Sequence, residues 1–203
     1  MASQNGEFAF VAGRLCLDFV NTEVGQREGG SDPLDAFPDL VRWARAAAAL
    51  DPAEAEFVLE RWTDGAEVQD ALAAARALRR QLRAVAQQLV AGDLRLAPES
   101  LELTNQALRS RPGYLQLERS GGGWAARWKV PLRRPDDVLW RIARSAAALL
   151  TDDDPALVRR CARERCGLFF YDTTKNHRKR FCRMEVCGAA ARAAAYYQRR
   201  SGR

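Results

Sequence analysis

The sequence predicts a mainly α-helical body with one small β-hairpin, followed by a small cysteine-bearing module at the C-terminus. Three observations predict it. Apolar residues recur at three- and four-residue steps through the body, as in Leu72, Ala75, Leu78, Leu82, Val85 and Leu89, the period of a helix with one buried face. One pair of short β-rich runs brackets a glycine turn, Ser120-Gly121-Gly122-Gly123. Four of the 5 cysteines lie in the last 43 residues. At 203 residues the chain can bury one substantial core and carry a small appendage, and the composition divides it into a body, 1–152, and a module, 153–203.

The elements follow in order. Phe8 to Val24 is dense in apolar residues but ambiguous in period. Leu15, Leu17 and Phe19 alternate as in a strand, whereas Cys16, Phe19 and Val20 share a helical face. Gly25 to Pro33 reads as a polar loop. Pro38 opens a helix through Leu50, and Asp51-Pro52 supplies the N-cap and first turn of the next, to about Trp62. The longest helix spans Ala66 to Ala91, where Gly92 stops it, and a shorter one runs from Pro98 to Leu108. The hairpin carries Tyr114, Leu115 and Leu117 on one arm and Trp124, Trp128 and Val130 on the other. A helix from Pro135 to Leu150 completes the body. Asp152-Asp153-Asp154-Pro155 then caps a short helix leading to Cys161.

Cys161 and Cys166, then Cys182 and Cys187, form two Cys-x4-Cys pairs, each followed directly by a glycine, Gly167 or Gly188. Two cysteine pairs from separate short segments are the donor set of a tetrahedral zinc ion, and a glycine after the second cysteine lets the backbone turn beside the sulfurs. Four thiolates close the coordination sphere, so the expected zinc is single and structural, in a treble-clef-like module. The lone histidine, His177, lies midway between the pairs and reads as a solvated member of the loop. Cys16 stands apart as a small buried hydrophobe. Met1 to Phe10 has no secretory pattern and no apolar run reaches membrane length, so a cytoplasmic protein with reduced thiols is expected.

Net charge is +6, but unevenly placed. Pro155 to Arg203 holds 13 Lys+Arg against 3 Asp+Glu, while the remaining 154 residues hold 19 against 23. Only three lysines occur, Lys129, Lys175 and Lys179, so arginine richness is partly a compositional habit; the asymmetry is not. A basic tail favours polyanions. Between the cysteine pairs, Leu168-Phe169-Phe170-Tyr171 reads as a short strand and Lys175-Asn176-His177-Arg178-Lys179-Arg180 as a cationic loop. A terminal helix from about Met184 adds more. The candidate nucleic-acid contacts are Lys175, Arg178, Lys179, Arg180, Arg183, Arg192, Arg199 and Arg200, with double-stranded DNA as the expected partner. Tyr196 and Tyr197 read as packing against the body.

From Phe170-Tyr171-Asp172-Thr173 through Asn176, Arg180, Cys182, Met184 and Cys187-Gly188 the tail resembles the CGNR-type zinc finger, a bacterial module. Gly13-Arg14-Leu15-Cys16-Leu17-Asp18-Phe19-Val20-Asn21-Thr22, with Pro38-Asp39-Leu40 and Trp43, resembles the ABATE domain that precedes it. The resemblance covers essentially the whole chain and implies a stress-induced transcription regulator with a zinc-binding, DNA-binding tail. The chain departs from the pattern where Ala189-Ala190 replaces asparagine and arginine, Phe181 a tryptophan and Thr174 a serine. The thiols are untouched, whereas two polar side chains that could contact nucleic acid are gone.

No catalytic residue is assigned. There is no nucleophile elbow, no P-loop and no histidine outside the tail, and the expectation is a protein that is not an enzyme. Asp18, Asn21 and Thr22 are unusual in an apolar stretch. They form a buried hydrogen-bond network or line a pocket for a small effector. Three readings stand: a DNA-binding regulator, acting as a homodimer or sensing a ligand; an RNA- or protein-interaction module shaped by zinc; and a zinc-thiolate redox sensor.

Overall fold

The computed structural model describes residues 8–23, 32–109, 113–129 and 131–201, with the Trp128 side chain excepted. The fold is mainly helical with one β-hairpin, as the periodicity requires. The ambiguous first segment divides in two. Gly13 takes a positive φ of 73° and separates an extended stretch from helix α1, Leu15–Asn21. Helices α2 (Phe37–Ala46) and α3 (Pro52–Arg61) pack against each other. Asp51 caps α3 as expected: its Oδ1 accepts from the Glu54 N–H at 2.8 Å, and the Glu54 carboxylate accepts from the Asp51 N–H at 3.0 Å.

The 25-residue helix α4, Ala66–Val90, is the spine. Its buried stripe, Val68, Ala71, Leu72, Ala75, Leu78, Leu82, Val85 and Leu89, meets α1, α2 and α5 (Glu102–Arg109). Helix α6, Leu139–Thr151, packs on α1 and α5. The two proline-led helices of the sequence reading, from Pro98 and from Pro135, each open with a 3-10 turn, Pro98–Leu101 and Pro135–Val138. The arginines of α4 do not all take the solvent face. Arg79 is 3% exposed and donates to Thr22 Oγ1 at 3.0 Å and to both carboxylate oxygens of Asp32. Of the expected loop Gly25–Pro33, residues 25–31 lie outside the described residues. Among the described residues no helix is long and apolar enough to cross a membrane.

Strands β1 (Tyr114–Ser120) and β2 (Gly123–Lys129) pair antiparallel from Tyr114↔Lys129 to Ser120↔Gly123. Gly121 and Gly122 both have positive φ, 56° and 82°, which a two-residue turn matched to strand twist demands. Before the first cysteine the expected short helix is only a 3-10 turn, Pro155–Leu157, capped by Asp154. Three residues cannot propagate a helix, and the chain instead extends as β3, Val158–Arg160, against β4, Phe169–Tyr171.

β4 decides how the tail sits. Its alternating side chains serve two cores: Phe169 and Tyr171 join the body core with Phe19 and Val20, while Phe170 packs with Cys161, Cys182 and Cys187. Module and body therefore share a strand rather than a tether.

Candidate metal centre and basic surface

Each cysteine pair is held by a local turn. The Cys161 N–H donates to the Leu168 carbonyl at 2.8 Å and the Cys166 N–H to the Arg163 carbonyl at 2.9 Å, closing the first loop. Gly167, at φ +71°, supplies the left-handed residue that this return needs. The second pair is built differently. Cys187 and Gly188 end a single π-helical turn, Met184–Gly188, whose N–H groups reach back to the Arg183 carbonyl. Gly188 has no positive φ, and a Cβ on it would meet only the sulfur of the flexible, exposed Met184 side chain, so neither a turn nor a rigid contact demands glycine there. The Ala162 N–H donates to the Arg180 carbonyl at 2.8 Å and ties the two segments together.

The four Sγ atoms converge within 4.8 Å of one another. Cys166 to Cys182 and Cys182 to Cys187 are each 3.6 Å, too long for a disulfide, and all four cysteines are free. Tetrahedral zinc with Zn–S near 2.3 Å places its sulfurs about 3.7–3.8 Å apart, so the donor set fits zinc. Burial, then the neighbouring sulfurs, pushes the Cys182 thiol far up, and burial lifts Cys166 to about 11. Burial acts the same way on Cys161, but N–H groups of Cys182 and Arg163 overcome it and hold that thiol below its ordinary value. A dication among the sulfurs relieves their mutual repulsion. His177 stays outside, exposed at φ +50° with its N–H on the Thr174 carbonyl. Cys16 is buried far away, and burial raises it to about 11.

The cationic loop is fastened by Asp172, a residue that the sequence marks only as a turn former. Fully buried, its Oδ1 accepts from the Thr174 N–H and hydroxyl at 3.0 and 2.6 Å, and its Oδ2 from the Lys179 N–H at 2.9 Å. Burial acts to raise its pKa, but these donors outweigh it and hold the carboxyl below the usual range. Lys175, Arg178, Arg180 and Arg183 are exposed, and Lys179 lies 4.9 Å over the Phe170 ring. Helix α7, Ala189–Ser201, buries none of its residues. Arg192, Tyr196, Arg199 and Arg200 recur on it at four-, three- and one-residue steps, the spacing of one exposed face. Tyr196 and Tyr197, at 50% and 66% exposure, stack edge-on with each other and do not pack against the body. Among the described residues no element buries any part of this helix, which periodicity alone could not reveal. Among the described residues none of the eight candidate cations forms an ion pair.

Asp18, Asn21 and Thr22 all turn inward. Asp18 Oδ1 accepts from the N–H groups of Val11 and Ala12, both at 2.9 Å. The Asn21 amide donates to the Phe169 carbonyl at 2.9 Å and accepts from the Phe169 N–H at 2.8 Å, pairing with β4 as a neighbouring strand would. Thr22 donates to the Phe19 carbonyl and accepts from Arg79. They are the hydrogen-bond network of the two sequence alternatives. Arg14 adds a contact that the sequence did not announce: its guanidinium pairs with Asp153 at 2.5 Å and covers the Tyr171 ring at 4.2 Å.

Comparison with known families bears on both halves. A family described as "Putative stress-induced transcription regulator", ABATE, matches residues 13–153. The chain belongs to the ABATE family. The CGNR zinc finger family matches residues 158–200, in the order that the motifs predict. No curated protein matches the chain. In this ABATE protein the opening motif, Gly13 to Thr22, is the part of the body that grips β4. Its matched residues fasten the body to the zinc module. The substituted pair, Ala189-Ala190, occupies the first turn of α7, where longer polar side chains would stand beside the metal loop.

Proposed function

We propose that this ABATE protein is a cytoplasmic transcription regulator that binds double-stranded DNA through its C-terminal module, with one structural zinc ion per chain. Cys161, Cys166, Cys182 and Cys187 would hold the ion, which supplies a closed tetrahedral crosslink and no open position for a substrate. The loop Lys175–Arg180 and helix α7 are the contacting elements. The observation that carries this reading is that the tail's candidate cations have no ion pairs among the described residues, so binding a phosphate backbone breaks none of those. A 13-residue helix with no buried residue among those described suits entry into a groove. With Ala189 and Ala190 at its start, base reading is weak and affinity comes mainly from phosphates.

We read the protein as non-catalytic, in keeping with the inward use of Asp18, Asn21 and Thr22. Dimerisation would double the grip, and the outer face of the hairpin, with Leu115, Leu117 and Trp124 all exposed, supports a second copy as its occupant. A two-stranded ribbon with an uncovered apolar face is marginal alone. Gel-shift titration of the zinc-loaded chain on duplex DNA, single strands and RNA tests the function. Duplex binding whose affinity falls with salt at a log–log slope of about −4 to −5 is expected. Preference for RNA, or no salt-sensitive binding, overturns it.

A further inference from the structure

An open groove of about 780 Å³ lies between the inner face of the hairpin and helices α3 and α6, within the size range of small-ligand sites. Its lining joins two chemistries. Phe57 and Tyr114 present aromatic rings that are both exposed, 47% and 55%. Arg127, Lys129, Arg141 and Arg144 present cations. Tyr114 and Lys129 are register partners, and Arg127 lies two residues before Lys129, so all three share the hairpin face turned toward the helices.

The carboxylates near this lining do not balance its cations. Arg127 and Lys129 share a single one, Glu118, at 3.3 and 2.6 Å. Arg141 pairs with Glu54 through Nη2 at 2.5 Å, but its buried Nη1 has no hydrogen-bond partner among the described residues. Glu54 is also engaged at the start of α3, where it accepts from the Asp51 N–H. Arg144 has no carboxylate within ion-pair distance among the described residues, and its guanidinium lies 5.6 Å from the Trp140 ring. A concave surface with two rings and surplus positive charge matches a ligand with an aromatic or apolar body and one anionic group.

We infer that the groove between the hairpin and helices α3 and α6 binds a small aromatic carboxylate or similar amphipathic anion, with Arg144 and Lys129 as the anion contacts and Phe57 and Tyr114 as the ring contacts. Such a ligand bridges the hairpin to the helical body, which places an effector site away from Asp18, Asn21 and Thr22. The site does not depend on nucleic-acid binding by the tail and is tested without nucleic acid.

The test uses the full zinc-loaded chain and 1-naphthoate as the probe, followed by calorimetric titration. One saturable site per chain is expected, with 1-naphthylmethanol, the neutral counterpart, binding at least tenfold more weakly. Arg144→Ala should weaken naphthoate about tenfold, the loss of one charge-assisted contact, and Arg144→Lys should restore part of it. Phe57→Ala should weaken it comparably through the ring. Arg144 and Phe57 are exposed, so these variants should keep the parent's thermal midpoint, which is measured alongside. Absence of saturable binding, equal binding of the alcohol, or indifference to both Arg144→Ala and Phe57→Ala overturns the site. Displacement of naphthoate by inorganic phosphate as effectively as by benzoate overturns the ligand class.

Discussion

Many of the body's arginines are ion-paired, whereas among the described residues none of the tail's is. In the body Arg14, Arg76, Arg79, Arg83, Arg109, Arg127, Arg134 and Arg141 all meet carboxylates, and Arg79 does so at 3% exposure. In the tail, from Val158 onward, the described residues form no ion pair. The scarcity of lysine makes arginine content uninformative by itself; pairing restores the distinction. A paired arginine holds helices together, whereas an unpaired one keeps its field available to a polyanion. The tail's small core, Phe170 with Cys161, Cys182 and Cys187, contains none of these cations, so they can stay unpaired.

The largest expected effect breaks that dependence. Structural zinc sites contribute on the order of 10–16 kcal/mol of apparent binding free energy, so a strong chelator, or Cys182→Ser, should unfold the module and abolish nucleic-acid binding while the body stays helical. Metal analysis with far-ultraviolet circular dichroism reads both halves. Protein purified under reducing conditions without zinc would end the metal assignment.

Arg79→Ala tests the inward use. Removing Arg79 leaves Asp32 with the Leu34 N–H and the more distant Arg76, at 3.7 Å, and Thr22 short of a donor, at a cost of about 3 kcal/mol in urea unfolding. Asp32 is held below the ordinary carboxylate range by Arg79 against burial, so this contribution is present above pH 4 and lost as pH falls through the depressed value.

Asp18 titrates in the opposite sense. Burial raises it to about 6, against its two backbone N–H donors. The folded state therefore holds more protons than the unfolded one between about pH 4 and 6, and stability falls as pH rises through that window. Asp18→Asn keeps an oxygen for Val11 and Ala12 and should flatten this loss, of about 1–3 kcal/mol, whereas Asp18→Ala should destabilise at every pH. A stability profile from pH 4 to 8 separates them.

Smallest in stability is the change that sharpens the contrast most. Arg178→Ala with Arg180→Ala should shift unfolding by no more than about 0.5 kcal/mol, since both are exposed. The same pair should flatten the salt slope of DNA binding by about two units. Loss of stability without a change in slope would mean that these arginines serve the fold.

Periodicity and spacing were enough for some of this. The α4 stripe is visible because each buried position recurs at helical intervals, and the hairpin because paired glycines interrupt two β-rich runs. The candidate metal ligands are visible because chelation fixes residue type and spacing within short segments. Where a residue's role depends on a distant partner, the string is silent. Asn21 pairs with Phe169, 148 residues away, and its only trace was a polar residue in an apolar stretch. Arg79 left none, since a buried arginine and a solvated one are the same letter.

By itself, then, the sequence determined the helical body, the hairpin and the four cysteines that cluster, because local periodicity, turn stereochemistry and the spacing of cysteine pairs are written within a few residues. Only the tertiary structure decided that β4 is shared by two cores, that α7 buries none of its residues, and that the hairpin, α3 and α6 line an open cationic groove. Those depend on which surfaces meet across the chain, and that is set by packing of the whole rather than by any segment.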